Sequence, residues 1–230
     1  MGNIAENLKS IRERIERAAT KSGRDPAEIT LVAVSKTKSA SMIREAHKAG
    51  HRVFGENYAQ ELAAKAGELA DLDISWHFIG HLQRNKAKLV APVASYVETV
   101  DSLKLAEALN ARATTPIDVL IEVNIGAEES KSGIGADGIP TLLTGIDPLE
   151  KLTARGLMVI PPYIPDPEAS RPHFIRLREI MTRLNEQNIV GSPLTELSMG
   201  MSHDFEAAIE EGATIIRVGT AIFGERTCER

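Results

Sequence analysis

Cysteine is nearly absent: of 230 residues only Cys228 is one, which excludes a disulfide framework and a cysteine-based metal site. No apolar run approaches membrane-spanning length, and the chain opens on a charged amphipathic stretch where a signal segment would need an apolar core. There is no basic patch. Acids outnumber bases 32 to 27 with the signs interspersed, and a formal net charge of -5 argues against nucleic acid as a partner. Low-complexity tracts, proline-rich linkers and shifts of composition are also missing. These absences describe a cytoplasmic protein of one domain, residues 1–230, with no membrane partner. Its 43% hydrophobic content suffices for a substantial core.

What is present alternates. Asn3 can cap a first helix in which Ile4, Leu8, Ile11 and Ile15 recur at helical spacing until Gly23. Strands are then expected at 29–35, 52–55, 74–79, 95–99, 117–123, 156–160, 194–198 and 214–218. Helices are expected between them at 39–49, 57–70, 83–91, 102–113, 137–153 (with a break allowed at Pro148), 168–188 and 203–211. Runs such as Val119 to Val123 and Leu157 to Ile160 lack clean alternation, which suits parallel strands covered on both faces. Eight such strands predict an α/β fold, a (β/α)₈ TIM barrel with an extra N-terminal helix. An open doubly wound sheet is the alternative, although no Gly-x-Gly-x-x-Gly follows the first strand.

In a barrel, functional groups gather where strands end, and several reactive or polar residues fall there. Lys36 follows the first strand, and a lysine desolvated at a strand end is a candidate amine nucleophile toward an aldehyde. Lys38 lies two residues on, and this chemistry alone does not choose between them. Ser198 to Ser202 follow the seventh strand, where Ser202 can cap the next helix and Asp204 suits its positive end. Gly219 and Thr220 follow the eighth. Together these two loops have the composition of a phosphate cradle. Arg217, inside an apolar strand, needs either an ion pair, with Glu122 a candidate, or a ligand acceptor at the barrel mouth. His77 and His81 lack a third ligand for zinc, so a planar ligand or the core is the better partner for them. His47, His51 and His173 look like surface or helix positions with no assigned role.

The segments Ala33-Val-Ser-Lys-Thr37, Phe54-Gly-Glu-Asn-Tyr58, Trp76-His-Phe-Ile-Gly-His-Leu-Gln-Arg-Asn-Lys86, Glu128-Glu-Ser-Lys-Ser-Gly133, Gly156-Leu-Met158, Leu197-Ser-Met-Gly-Met-Ser202 and Arg217-Val-Gly-Thr220 resemble the pyridoxal 5′-phosphate homeostasis proteins, barrels of alanine-racemase type. The likeness runs in order from about residue 30 to Arg226. It implies pyridoxal 5′-phosphate (PLP) held as an aldimine on Lys36, with phosphate at Ser198, Met199, Gly200, Ser202, Gly219 and Thr220. It also implies that the pyridine nitrogen faces Arg217, with Asn57 and His77 near the ring.

The expected function is PLP storage or hand-over without catalytic residues or metal, in a monomer that passes PLP to apo-enzymes. A permanent charge at Arg217 would disfavour a pyridinium, making the ring a poorer electron sink. A second β domain carrying an opposing base is not expected in a chain ending at Arg230. A PLP-dependent amino-acid racemase and a phosphosugar-binding barrel are the alternatives.

Overall fold

The computed structural model describes residues 3–125, 132–162 and 164–225. Glu128 to Lys131, Arg226 and Cys228, singled out above, lie outside the described residues. Asn3 caps the first helix, α1 (Ile4–Lys21), by accepting from the Ala5 amide at 3.0 Å. Its buried stripe, Ile4, Leu8, Ile11 and Ile15, lies against the barrel's outer layer, each such side chain contributing about 1.5–3 kcal/mol of burial. Arg14 on α1 locks the helix in place, donating to Glu206 at 2.8 and 2.7 Å and lying over the Phe205 ring.

From there strands and helices alternate: β1 (Thr30–Val34), α2 (Ala40–Lys48), β2 (Val53–Glu56), α3 (Ala59–Glu68), β3 (Ser75–Phe78), α4 (Ala87–Val90), β4 (Tyr96–Val100), α5 (Leu103–Asn110), β5 (Ile117–Glu122), α6 (Ile139–Ile146), β6 (Leu152–Met158), α7 (Arg171–Glu186), β7 (Glu196–Ser198), α8 (Phe205–Glu210), β8 (Ile215–Val218) and α9 (Thr220–Phe223). The strands pair in parallel, in chain order, and close into a barrel when β8 meets β1. The open sheet is thereby excluded.

The core has two parts. The larger fills the space between barrel and helices, with Ile43, Leu62, Leu109, Leu143 and Leu177 fully buried. The smaller is the barrel's own apolar filling, Val32, Leu120, Met158 and Ile215, flanked by Val53 and Tyr96. Side chains of registered parallel partners share a face. Val32 pairs with Arg217, Met158 with Glu122 and Ser198, and Ser198 with Ile215. Arg217, Glu122 and Ser198 are therefore on the inner face as well.

Several boundaries differ from expectation. β6 starts at Leu152, so Leu152 and Thr153 are strand, where the helix was expected to run to 153. The first half of this strand alternates in exposure and bears Arg155, which salt-bridges Asp118 at 2.9 Å, so it has no apolar run to read. Residues 84–86 form a 3₁₀ turn before the four-residue α4, and another 3₁₀ turn, Pro167–Ser170, leads into α7. The N-cap of α8 is Asp204 and not Ser202. His51 is not a surface residue: it is 6% exposed, bonded to the Val53 carbonyl at 2.7 Å, and burial holds its pKa down to about 4.

β6 and β7 approach closely at Gly156, where a Cβ would come within 1.8 Å of the Glu196 carbonyl oxygen. Gly156→Ala is expected to lower the unfolding free energy by about 3 kcal/mol, since backbone must shift. Urea denaturation would read that loss directly; a change below about 0.5 kcal/mol would show that the strands separate freely there.

Candidate functional site

The closing pair sets the site. Ala33 on β1 is registered with Val218 on β8, so the segments that follow, Val34 to Lys36 and Gly219 to Thr220, leave the barrel side by side. A Cβ at Gly219 would lie 3.3 Å from Val34, which confirms how near the two loops run. Lys36 is half-buried at this exit. Lys38 is committed elsewhere: its ammonium donates to the carbonyls of Phe223, Gly224 and Glu225 at 3.3, 3.0 and 2.8 Å, at the carboxyl end of α9. These bonds tie Lys38 to the end of α9.

The loop after β7 turns at Gly200, whose φ of +91° is open to glycine and strained for most other residues. This geometry lets the Gly200 carbonyl accept from the Arg217 amide at 3.0 Å. Asp204 accepts from the Met201 amide at 2.6 Å, folding the loop back on itself. Ser202 Oγ accepts from the Gly219 amide at 3.3 Å, which joins the two loops and leaves its own proton to donate. α9 starts at Thr220, so the Thr220 and Ala221 amides have no intrahelical acceptor. Ser198 and Met199 lie deeper. Both are 0% exposed, the Ser198 hydroxyl is engaged inside the barrel, and the Met199 amide donates to the Ile215 carbonyl at 3.1 Å.

A buried polar chain crosses the inner face beneath these loops. His77 Nδ1 is 2.6 Å from Glu98 Oε1, and the imidazole stacks on Tyr96 at 4.5 Å between centroids. Ser198 donates to Glu98 Oε2 at 2.6 Å. Arg217 donates to the Ser198 hydroxyl and to the Val159 carbonyl (2.8 Å), and its guanidinium stands 3.8 Å from Glu98 Oε2. Burial alone would raise the Glu98 carboxyl. The hydrogen bond and charge of His77, the Arg217 charge and the Ser198 hydroxyl outweigh it and hold the group below the usual carboxylate value. Burial pulls Arg217 downward, opposed by Glu98, Glu122 and Asp204.

Glu122, offered above as a partner for Arg217, forms no salt bridge with it; burial and the nearby Asp101 charge raise its carboxyl, while His81 and Arg217 lower it. The ion pair falls to Glu98, which the sequence reading missed. Asn57 is half-buried just beyond β2, next to Tyr58, which is 53% exposed at the head of α3. His81 is exposed, 3.9 Å from Asp101. Among the described residues no group of three His, Cys, Asp or Glu could hold a metal ion. No described helix is long and apolar enough to cross a membrane.

A lysine at the end of β1, beside anion-ready loops after β7 and β8, defines a barrel of the kind found at the front of alanine racemases. The family model for the alanine racemase N-terminal domain matches residues 6–227. The chain belongs to the family of pyridoxal phosphate homeostasis proteins. It is 48% identical to the pyridoxal phosphate homeostasis protein of Pseudomonas aeruginosa over 229 residues, 98% of this chain and 97% of that one. It is 44% identical to the one from Aquifex aeolicus over 97% of this chain and 99% of that one. Among solved structures, PipY of Synechococcus elongatus PCC7942 with PLP bound aligns with a TM-score of 0.83 at 38% identity, covering 96% of this chain and all of that one. Alanine racemase of Corynebacterium glutamicum shares the fold alone, with a TM-score of 0.69 at 14% identity over 95% of this chain and 62% of that one.

Glu98→Gln is expected to cost about 3 kcal/mol of stability near neutral pH, because Arg217 then stays buried without a counter-charge. Glu98 has a folded pKa below its unfolded value of about 4.3. The carboxylate's contribution is therefore complete above that value and is lost as pH falls through the lower folded one. Chemical unfolding of both proteins at several pH values should show a constant gap above pH ~6 that narrows below pH ~4. A gap that widens on acidification would contradict the ionised pair.

Proposed function

We propose that this protein holds PLP in the barrel mouth, shields its aldehyde, and passes it to apo-enzymes in the cytoplasm, acting as a monomer without turnover of amino acids. The observation that supports this reading is the β1–β8 register, Ala33 with Val218, from which the segments bearing Lys36 and Gly219–Thr220 leave the barrel on neighbouring strands. An aldehyde and a phosphate on one small molecule need an amine and an anion site side by side, and these residues fit both. PLP itself supplies an aldehyde that condenses reversibly with a primary amine, releasing water.

The residues divide the work. Ser202 and Thr220 offer hydroxyl and amide donors for the phosphate, Gly219 carries no side chain to block its approach, and Ser198, Met199 and Gly200 shape the turn beneath them. Lys36 provides the amine. Asn57 borders the ring's place at the mouth, and His77 supports the floor through Glu98. Arg217 presents a guanidinium toward the pyridine nitrogen; two of its five N–H groups are bound to Ser198 and Val159. A guanidinium cannot give up its proton at neutral pH, so it meets an unprotonated ring nitrogen as a donor and opposes a second positive charge there. Storage is favoured over carbanion chemistry by that choice.

Borohydride treatment of the PLP-loaded protein followed by peptide mass spectrometry is expected to find a pyridoxyl group on Lys36, and none on the Lys36→Ala variant. Labelling of Lys38 alone would overturn the assignment. Pyridoxal without its phosphate is expected to bind at least about 100-fold more weakly, since several charge-assisted hydrogen bonds are lost. Equal affinity for the two would remove the phosphate cradle. Hand-over is checked by mixing the loaded protein with an apo-enzyme and a scavenger of free PLP: activation that survives the scavenger supports a carrier, and its complete loss contradicts one.

A further inference from the structure

One buried cluster lies outside the PLP-facing network. Lys65 on α3 is 7% exposed, and its ammonium donates to Glu56 Oε1 at 2.7 Å, Glu61 Oε1 at 2.6 Å and the Ser35 carbonyl at 2.7 Å. Ser35 Oγ donates to the same Glu56 oxygen at 2.7 Å. Glu61 Oε1 also accepts from the Thr37 amide at 2.6 Å. Glu56 is 0% exposed, and its other oxygen has no partner among the described residues. Burial raises the Glu56 carboxyl, opposed by the Lys65 charge and the hydrogen bonds from Lys65 and Ser35.

Two of these bonds fall on the peptide groups that flank Lys36. The Ser35 carbonyl precedes it and the Thr37 amide follows it, and α3 holds both through side chains four residues apart. Thr37 has φ +62°, a left-handed conformation costly for a β-branched residue, of order 1–3 kcal/mol. Such a conformation persists only where its surroundings over-determine it. A surface ion pair would need no buried glutamate and no backbone target. Stability alone does not require the bonds to converge on the two peptide groups beside one lysine.

We infer that Glu61 and Lys65 are positioning residues: they fix the backbone on both sides of Lys36 and so aim its amine at the PLP aldehyde. This rests on the PLP-binding reading given above. It adds that covalent capture depends on α3, an element that carries none of the residues assigned to the phosphate or the ring.

The test compares two ligands on the intact protein. PLP can form the covalent link; pyridoxine 5′-phosphate has an alcohol in place of the aldehyde and reports only the phosphate and ring contacts. Glu61→Ala is expected to weaken PLP binding and slow borohydride-fixable attachment at Lys36 by about tenfold each, the scale of one charge-assisted hydrogen bond. Its affinity for pyridoxine 5′-phosphate should stay within about twofold, and Glu61→Gln, which keeps an acceptor for the Thr37 amide, should recover most of the loss. Lys65→Met carries a risk of misfolding around Glu56, so Glu61→Ala decides the matter. Equal losses for both ligands, or no loss for PLP, would overturn the inference. Wild-type protein that borohydride fails to label at Lys36 would instead overturn the PLP reading itself.

Discussion

Arg217 is 4% exposed at the end of β8, and the upper barrel is arranged around keeping its charge there. Removing a guanidinium from water costs several kcal/mol unless charge and hydrogen bonds replace the solvent. Glu98 supplies the charge from the opposite side of the barrel, Ser198 bridges the two, and the Val159 carbonyl accepts another hydrogen bond. The chain thus ties β3, β4, β7 and β8 together across the interior, with a strand loop after β6 added. Much of the upper filling is polar as a result. Lower in the barrel, Val32, Leu120, Met158 and Ile215 with Val53 and Tyr96 form an apolar cluster.

That arrangement links fold to function through one choice of residue. A carboxylate facing a ring nitrogen would favour its protonation, whereas a guanidinium disfavours it. In the proposed pose, the same interaction that closes the inner face would bias a bound PLP against stabilising a carbanion. In that pose, each end of the cofactor would meet a separately built support. The phosphate loops are joined through Ser202 and Gly219, and the amine sits between two peptide groups held from α3. Lys38 adds a tie from the first loop to the carboxyl end of α9.

The barrel was legible because its strands are short apolar runs and its helices carry clear periodicity. Where a strand lost that contrast, reading failed: Leu152 and Thr153, in a stretch that alternates in exposure, were read as the tail of a helix. The Asp147-Pro148 pair was the signal that α6 stops early, at Ile146. Lys36, Arg217 and the two glycine-bearing loops stood out because each breaks the character of its neighbours. Glu98 did not. Within Tyr96-Val-Glu-Thr-Val100 it reads as an ordinary polar position, and only barrel closure turns it toward Arg217. Glu61 and Lys65 were hidden for a similar reason, since their spacing matches a solvent-facing helix pair. The third member, Glu56, comes from a strand, and three-dimensional proximity alone reveals the set.

The central claim, a ring nitrogen held unprotonated by a buried guanidinium, is open to one direct measurement. PLP labelled with ¹⁵N at the ring can be bound to the protein and its nitrogen chemical shift recorded across neutral pH. The account predicts the shift of a neutral, hydrogen-bonded pyridine, unchanged as pH is lowered toward 6. A pyridinium shift at neutral pH would contradict it.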